Sequence, residues 1–373
     1  MERLTTRFRQ SHSAPDSSLT LPRFFLKRPH LTTTSRTAAI YLTAIAAAIG
    51  VAVIAIGIGR FPISPGEVMS LLWGAITGSD AHVANNADIV LFDIRGPRIV
   101  AAFAVGAALA AAGAAYQNLF RNPLVSPDIL GVSSGAALGA VLGIFLSLPI
   151  IAIQGMAFAG GLIAVVCIYI IGDRLSSQRG GHDPVLTLVL AGVVIGSLLG
   201  SGIALTKYLA DPYNQLPAIT YWLLGSFAGI AKKDLAVALP IITIALLPLF
   251  LLRWRINLLA LPDDEARALG LGVRRMRLIV VIAATLMTAA SVAICGMIGW
   301  IGLVVPHAVR LLVGAEFSRL LPLAMLIGGT FMLAIDTVGR SVAQIEIPPG
   351  VLTAAIGTPI FLWLMVATFR RRT

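Results

Sequence analysis

The residues able to carry chemistry are few in this chain, and most familiar reactions fall away on inspection. Nucleotide hydrolysis needs a phosphate-cradling loop ending in Gly-Lys-Ser/Thr, yet none of Lys27, Lys207, Lys232 or Lys233 follows a glycine. The five histidines, His12, His30, His82, His182 and His307, never fall at metal-ligand spacing, and no Ser/His/Asp grouping stands near a strained elbow. Cys167 and Cys295 each lie inside an apolar run, far apart, which offers neither a disulfide framework nor a zinc spacing. An enzyme reading therefore has no site to stand on. Asp336, in MLAIDTVGR, is the one acid clearly inside an apolar segment. Such a group is costly there and can mark proton coupling, or it can pair with Arg340 four residues on along one helix face.

One stretch concentrates charge. LPDDEARALGLG, residues 261–272, holds three adjacent acids, Asp263, Asp264 and Glu265, in a chain with 28 basic and 17 acidic residues. It reads as a short helix, because Pro262 suits its first position, the acids sit at the positive end of the dipole and Gly270 can close it. Leu269 and Leu271 are then expected on a surface with no obvious core beneath. Two readings stay open: a docking knob for a partner, or an ordinary capped loop helix.

The elements that must position these groups belong to a membrane. Charged residues make up 12% of the chain and hydrophobic ones 57%, whereas a soluble domain has about 25% charged. Nine apolar runs are long enough, at about 20 residues, to cross roughly 30 Å of hydrocarbon. They are 38–59, 99–119, 129–146, 150–172, 185–205, 235–252, 278–299, 320–338 and 349–367. A tenth, 301–313, is short. Lys and Arg collect in cytoplasmic loops, and ten crossings from a cytoplasmic amino terminus put 21 of the 28 basic residues inside. The expectation is an all-α polytopic membrane protein of ten transmembrane helices with both termini cytoplasmic. Residues 1–35, basic and rich in Ser, Thr and Pro, read as a disordered cytosolic tail, and 36–373 as the transmembrane domain. Topology places 261–272 in the cytoplasmic loop between spans six and seven.

Small residues crowd the spans and let helix backbones approach closely. The runs 301–313, broken by Pro306, and 129–146, opened by Pro127 and Gly131, look like partial helices; non-helical backbone at membrane depth is tolerated only inside protein or along a water-filled path. A weak repeat lays 97–127 on 276–306, pairing Arg98 with Arg277 and Pro127 with Pro306. The paired spans run oppositely in this topology, as an inverted repeat would. A secondary transporter is the competing class on this evidence.

Several long segments carry a resemblance. RGPRIVAAFAVGAALAAAGAAYQNLFRNPLVSPDILGVSSGAALGA, YWLLGSF, DDEARALGLGV, GWIGLVVPHAVRLLVG, DTVGR and EIPPGVLTAAIGTPIFLWLM resemble, in order and spacing, the FecCD/vitamin-B12-type permeases of bacterial ABC importers. The match covers nearly everything after Arg36. The resemblance implies a permease in the bacterial inner membrane with ten helices per subunit, pairing with a second permease subunit as a homodimer or pseudo-dimer. It further implies two cytosolic ATPase subunits that carry ATP and Mg, no cofactor on this chain, and a periplasmic or lipid-anchored binding protein. No nucleic-acid partner is expected. The cargo implied is a metal chelate, ferric siderophore first, heme second, cobalamin third. The family's coupling helix matches 263–272, with Asp263, Asp264, Glu265, Arg267, Leu269 and Gly270 as its residues. Its arginines that meet the binding protein match Arg95, Arg98 and Arg340, whose other reading is interfacial anchoring. Its pathway helices point to Gly192, Gly196, Ser197, Gly200 and Ser201, and to Thr353, Gly357 and Thr358, where packing is an equal account of the glycines. Asn118, Asn122 and Pro123 match a structural turn.

Overall fold

The computed structural model describes residues 33–59, 61, 63–77, 86–177 and 184–370; the tail expected at 1–35 lies outside them up to residue 32, as do Arg60 and Arg179. Among the described residues the chain is helical with no strand. In order the α-helices are α1 (Thr33–Gly57), α2 (Pro65–Thr77), α3 (Asn86–Ile89), α4 (Gly96–Leu119), α5 (Val132–Phe145), α6 (Ile150–Ser177), α7 (Pro184–Leu209) and α8 (Gln215–Leu224). Then follow α9 (Lys232–Leu251), α10 (Arg253–Ile256), α11 (Asp263–Ala268), α12 (Val273–Cys295), α13 (Ile301–Val313), α14 (Phe317–Ser341) and α15 (Pro349–Arg370). A π-helical turn, Val90–Arg95, leads into α4, and a 3-10 turn, Pro127–Leu130, leads into α5.

Eight of these helices are long and apolar enough to cross a membrane, and α5 and α13 are shorter apolar helices. Their 14 and 13 residues span about 20 Å at 1.5 Å per residue, short of the roughly 30 Å core. They could cross only together with the irregular backbone at their ends. The sequence expectation of a break at Pro306 is corrected: α13 runs unbroken through it. Pro306 supplies no N–H for the Gly302 carbonyl, and that carbonyl is turned instead against Gly113 of α4, where a Cβ would overlap it. One carbonyl along, Gln117 Nε2 donates to Leu303 O at 3.1 Å. The proline is thus absorbed at a close helix crossing.

The core sits on α4 and α12. Along α4 alanine and glycine are buried nearly all round, and Gly106 lets it lie directly on Gly328 of α14. The repeat appears as architecture, since α4–α5–α6 and α12–α13–α14 are each a long, a short and a long helix. The halves are cross-packed: α4 lies on α13 and α14, while α12 lies on α5 and α6. Neither half can bury its pillar alone, which is why the chain closes as one bundle.

Candidate functional site

At one end of α4 lies α11. Its three acids occupy the first turn and Arg267 the last. Gly270, at φ +82°, ends the helix; its N–H bonds Arg267 O at 2.9 Å and the Leu271 N–H bonds Ala266 O at 3.0 Å. This pair of bonds is a Schellman closure, which a left-handed glycine makes without Cβ strain. Here the sequence reading needs one correction. Leu269 is 62% exposed, but Leu271 is 6% exposed and packs in the core beside Ala266. A Schellman turn folds its second outer residue back onto the helix's last turn, so only one of the two leucines stays outside.

Asp263 faces inward as a latch. Arg121 Nη2 meets it at 2.5 Å and Arg277 Nη2 at 3.2 Å, while Arg121 Nε also donates to Leu259 O at 3.1 Å. Burial disfavours the Asp263 carboxylate, but Arg277 and Arg121 outweigh that and hold its pKa below the usual carboxylate range. Asn118, in the last turn of α4, donates from Nδ2 to Ile256 O at 2.6 Å. The segment 253–272 is therefore fastened to the bundle, and Asp264, Glu265, Arg267 and Leu269 are the side chains presented outward. Sequence reasoning missed Arg121 and Arg277 as the posts of this latch; their conspicuous place in a cytoplasmic charge count was the available signal.

At the other end of α4 the expected docking arginines are buried, with Arg95, Arg98 and Arg340 at 4, 9 and 7% exposure. Arg98 forks between two acids: Nε and Nη2 lie 2.9–3.1 Å from Asp336, and Nη1 and Nη2 lie 3.0 and 2.9 Å from Glu346. Arg340 donates to Ile58 O at 2.6 Å and to Ala55 O, with its own-helix partner Asp336 farther off at 3.8 Å. Arg95 donates to the carbonyls of Ile56 and Phe61. In this structure all three guanidiniums bond carboxylates or carbonyls of the same chain. Together they pin the end of α1 and the 342–348 connection onto α4 and α14. Glu346, in the EIPPG segment, went unassigned in the sequence although it lies ten residues after Asp336.

The proposed pathway helices separate into faces. On α7, a Cβ at Gly192 would overlap Ile129 O, so this glycine packs, whereas Gly196 and Gly200 have open space before them. Ser197 and Ser201 share that exposed side. On α15, Thr353 is fully buried and bonds Gly350 O at 3.0 Å; a Cβ at Gly357 would lie 2.9 Å from Trp300 Cβ. Both face the chain's own interior, and Thr358 bonds Ala354 O at 2.7 Å. Next to α15 three irregular segments meet: Ser226 N–H bonds Cys295 O at 2.8 Å, and a Cβ at Gly350 would crowd Leu224 O and Met297 O at 2.5 and 2.9 Å. Trp300 takes φ +71° there, rare for a bulky residue, and its ring packs on Phe361 of α15 at 6.3 Å. The non-helical segments 225–227 and 296–300 thus meet the first turn of α15 in one knot sheltered by protein, the condition such backbone needs in a membrane.

A helical bundle with sheltered irregular backbone beside two sparsely packed helices, and a fastened helical knob at one end, defines a membrane transport permease. The chain belongs to the FecCD transport family, whose model matches residues 44–367. It is 39% identical over 313 residues to the molybdate import system permease protein MolB of Haemophilus influenzae, covering 83% of this chain and 90% of that one. It is 40% identical over 302 residues to the cobalamin import system permease protein BtuC of Halobacterium salinarum, covering 79% of each. Among solved structures, a metal-chelate type ABC transporter in an inward-facing conformation is similar at TM-score 0.78 and 35% identity, covering 88% of this chain and 99% of that one.

Proposed function

We propose that this chain, an ABC-importer permease with no nucleotide loop of its own, carries a metal chelate across the bacterial inner membrane, ferric siderophore before heme or cobalamin. The observation that carries the coupling part is α11: a rigidly latched helix that presents Leu269, with Asp264, Glu265 and Arg267 around it, beyond the end of the bundle. Two copies of the chain, two ATPase subunits that bind ATP and Mg, and a binding protein complete the machine in this reading. Both termini and α11 are then cytoplasmic, and all ten apolar segments cross.

ATP-driven closure of the ATPases would bias the permease between two rigid-body states. The exposed side of α7, with Gly196, Ser197, Gly200 and Ser201, lines the dimer axis in this scheme, and α15 moves against the knot at 295–300. The binding protein docks on the Arg98 end. There Arg95, Arg98 and Arg340 act by holding the 342–348 connection in shape, with the exposed Lys232–Asp93 pair, 2.6 Å apart, at the rim. Exposed pairs of this kind contribute about 0 to 1 kcal/mol each and serve steering and register.

Gly196, Ser197, Gly200 and Ser201 carry no charge, and Lys207 in the last turn is the one basic residue of α7, so the binding protein sets most of the selectivity. Relatives at 39 and 40% identity named for molybdate and for cobalamin agree with a permease scaffold that tolerates different cargo. Uptake of a ferric siderophore into vesicles containing the permease, its ATPase and its binding protein tests the proposal. Uptake that needs ATP and all three components is expected; uptake driven by an ion gradient alone would overturn the mechanism, and transport of molybdate instead would overturn the cargo.

A further inference from the structure

Between α1 and α14, with Leu312 of α13 beneath, runs a groove of about 510 Å³ that the proposed function does not use. Ile40, Ala44 and Ala47 form one wall and Ile327 and Phe331 the other, and Arg36 stands at its end. Its two hydroxyls are already committed, Thr43 to Ala39 O at 2.9 Å and Thr330 to Leu326 O at 2.7 Å. The groove therefore asks for apolar matter along its length.

Length and charge narrow the occupant. From Arg36 to Ala47 the α1 wall rises about 16 Å, close to half of the roughly 30 Å hydrocarbon core. One leaflet's acyl chain fits that span, leaving its headgroup at Arg36. Arg36 is exposed and makes no ion pair with a described residue. Arg319, whose carbonyl accepts from the Tyr41 hydroxyl at 2.7 Å, stands beside α1 outside the groove lining and is paired with Glu316 at 2.9 Å. Arg253 on α10, packed over the Phe250 ring at 4.3 Å, lies on the side where α10 abuts α14. Basic pockets between transmembrane helices favour anionic lipid headgroups.

We propose that this groove is a binding site for an anionic diacyl phospholipid, with one acyl chain along α1 and the phosphodiester on Arg36. α1 is otherwise little buried, so a resident lipid would complete its packing against α14.

The test exchanges the purified full-length chain, in complex with its ATPase, through mixed micelles of equal phosphatidylglycerol and phosphatidylcholine, and measures retained lipid by mass spectrometry. Phosphatidylglycerol enrichment is expected, falling about fivefold in Arg36→Gln, the size of one basic residue's attraction. Ala44→Trp, which fills the groove, should release the enriched lipid while the complex keeps its melting temperature. Equal retention of the two lipids by the unmodified chain, an unchanged ratio in Arg36→Gln, or wild-type retention in Ala44→Trp would each overturn the proposal. So would a second copy of the chain held at α1 with no lipid retained.

Discussion

Replacing Asp336 by Asn isolates the buried charge cluster at the Arg98 end. Asp336 is 1% exposed and takes three close contacts from Arg98, while Arg340 Nε stands 3.8 Å away. Removing one partner of a buried ion pair costs about 3 to 5 kcal/mol, because the other charge is left uncompensated. Arg98 would still hold Glu346, and Arg340 would still hold the Ala55 and Ile58 carbonyls, so the lower end, about 3 kcal/mol, is expected. With about 2.1 cal/mol/K per residue of unfolding entropy and 373 residues, that corresponds to a melting temperature lower by about 4 °C. Thermal unfolding of the detergent-solubilised chain is the assay. The companion Arg98→Met/Asp336→Leu removes both charges of the buried pair, taking Arg98 from the 29% exposed Glu346 and Asp336 from Arg340; it should recover more than half of the loss. An unshifted Asp336→Asn, or a double variant worse than the single one, would show that this cluster does not hold the α1, α4 and α14 ends together.

Three further outcomes follow from the geometry. Leu269→Asp should abolish stimulation of the partner ATPase at unchanged melting temperature, because its side chain projects into solvent; normal stimulation would mean the docking surface lies elsewhere. The latch at Asp263 should contribute in full from pH 7 down to about pH 5, and weaken progressively as pH falls past the unfolded carboxylate value of about 3.9 toward the lower folded value, since Asp263 has a depressed pKa and the unfolded chain takes up the proton first. Hydrogen exchange of α11 reads this directly; protection lost already above pH 5, or retained in Asp263→Asn at pH 7, would refute the latch. Gly113→Val should lower stability by at least the 1 to 3 kcal/mol of an overpacked core, because its Cβ overlaps the Gly302 carbonyl; an unchanged melting temperature would contradict that crossing.

The apolar runs were legible because lipid imposes length and hydropathy on each element separately, and all ten of them are helices. α11 was legible for a similar reason: its start, dipole and closing glycine are local signals within ten residues. The knot where 224–227 and 295–300 meet the start of α15 was not, since nothing in YWLLGSF announces that its glycine will sit against the Met297 and Cys295 carbonyls. Pro306 misled because a proline predicts a lost hydrogen bond without saying whether a neighbouring helix will use the freed carbonyl. The same limit separated Leu269 from Leu271, which look alike in sequence and lie on opposite sides of a Schellman turn.

By itself the sequence determined that this is a helical membrane chain with a charged helical knob, since hydropathy and capping are properties of short stretches. Only the tertiary structure decided which charges are free. Arg98, Asp336 and Glu346 are brought together across about 240 residues of chain, and a cation's availability to a partner depends on what the fold has already placed within 3 Å of it.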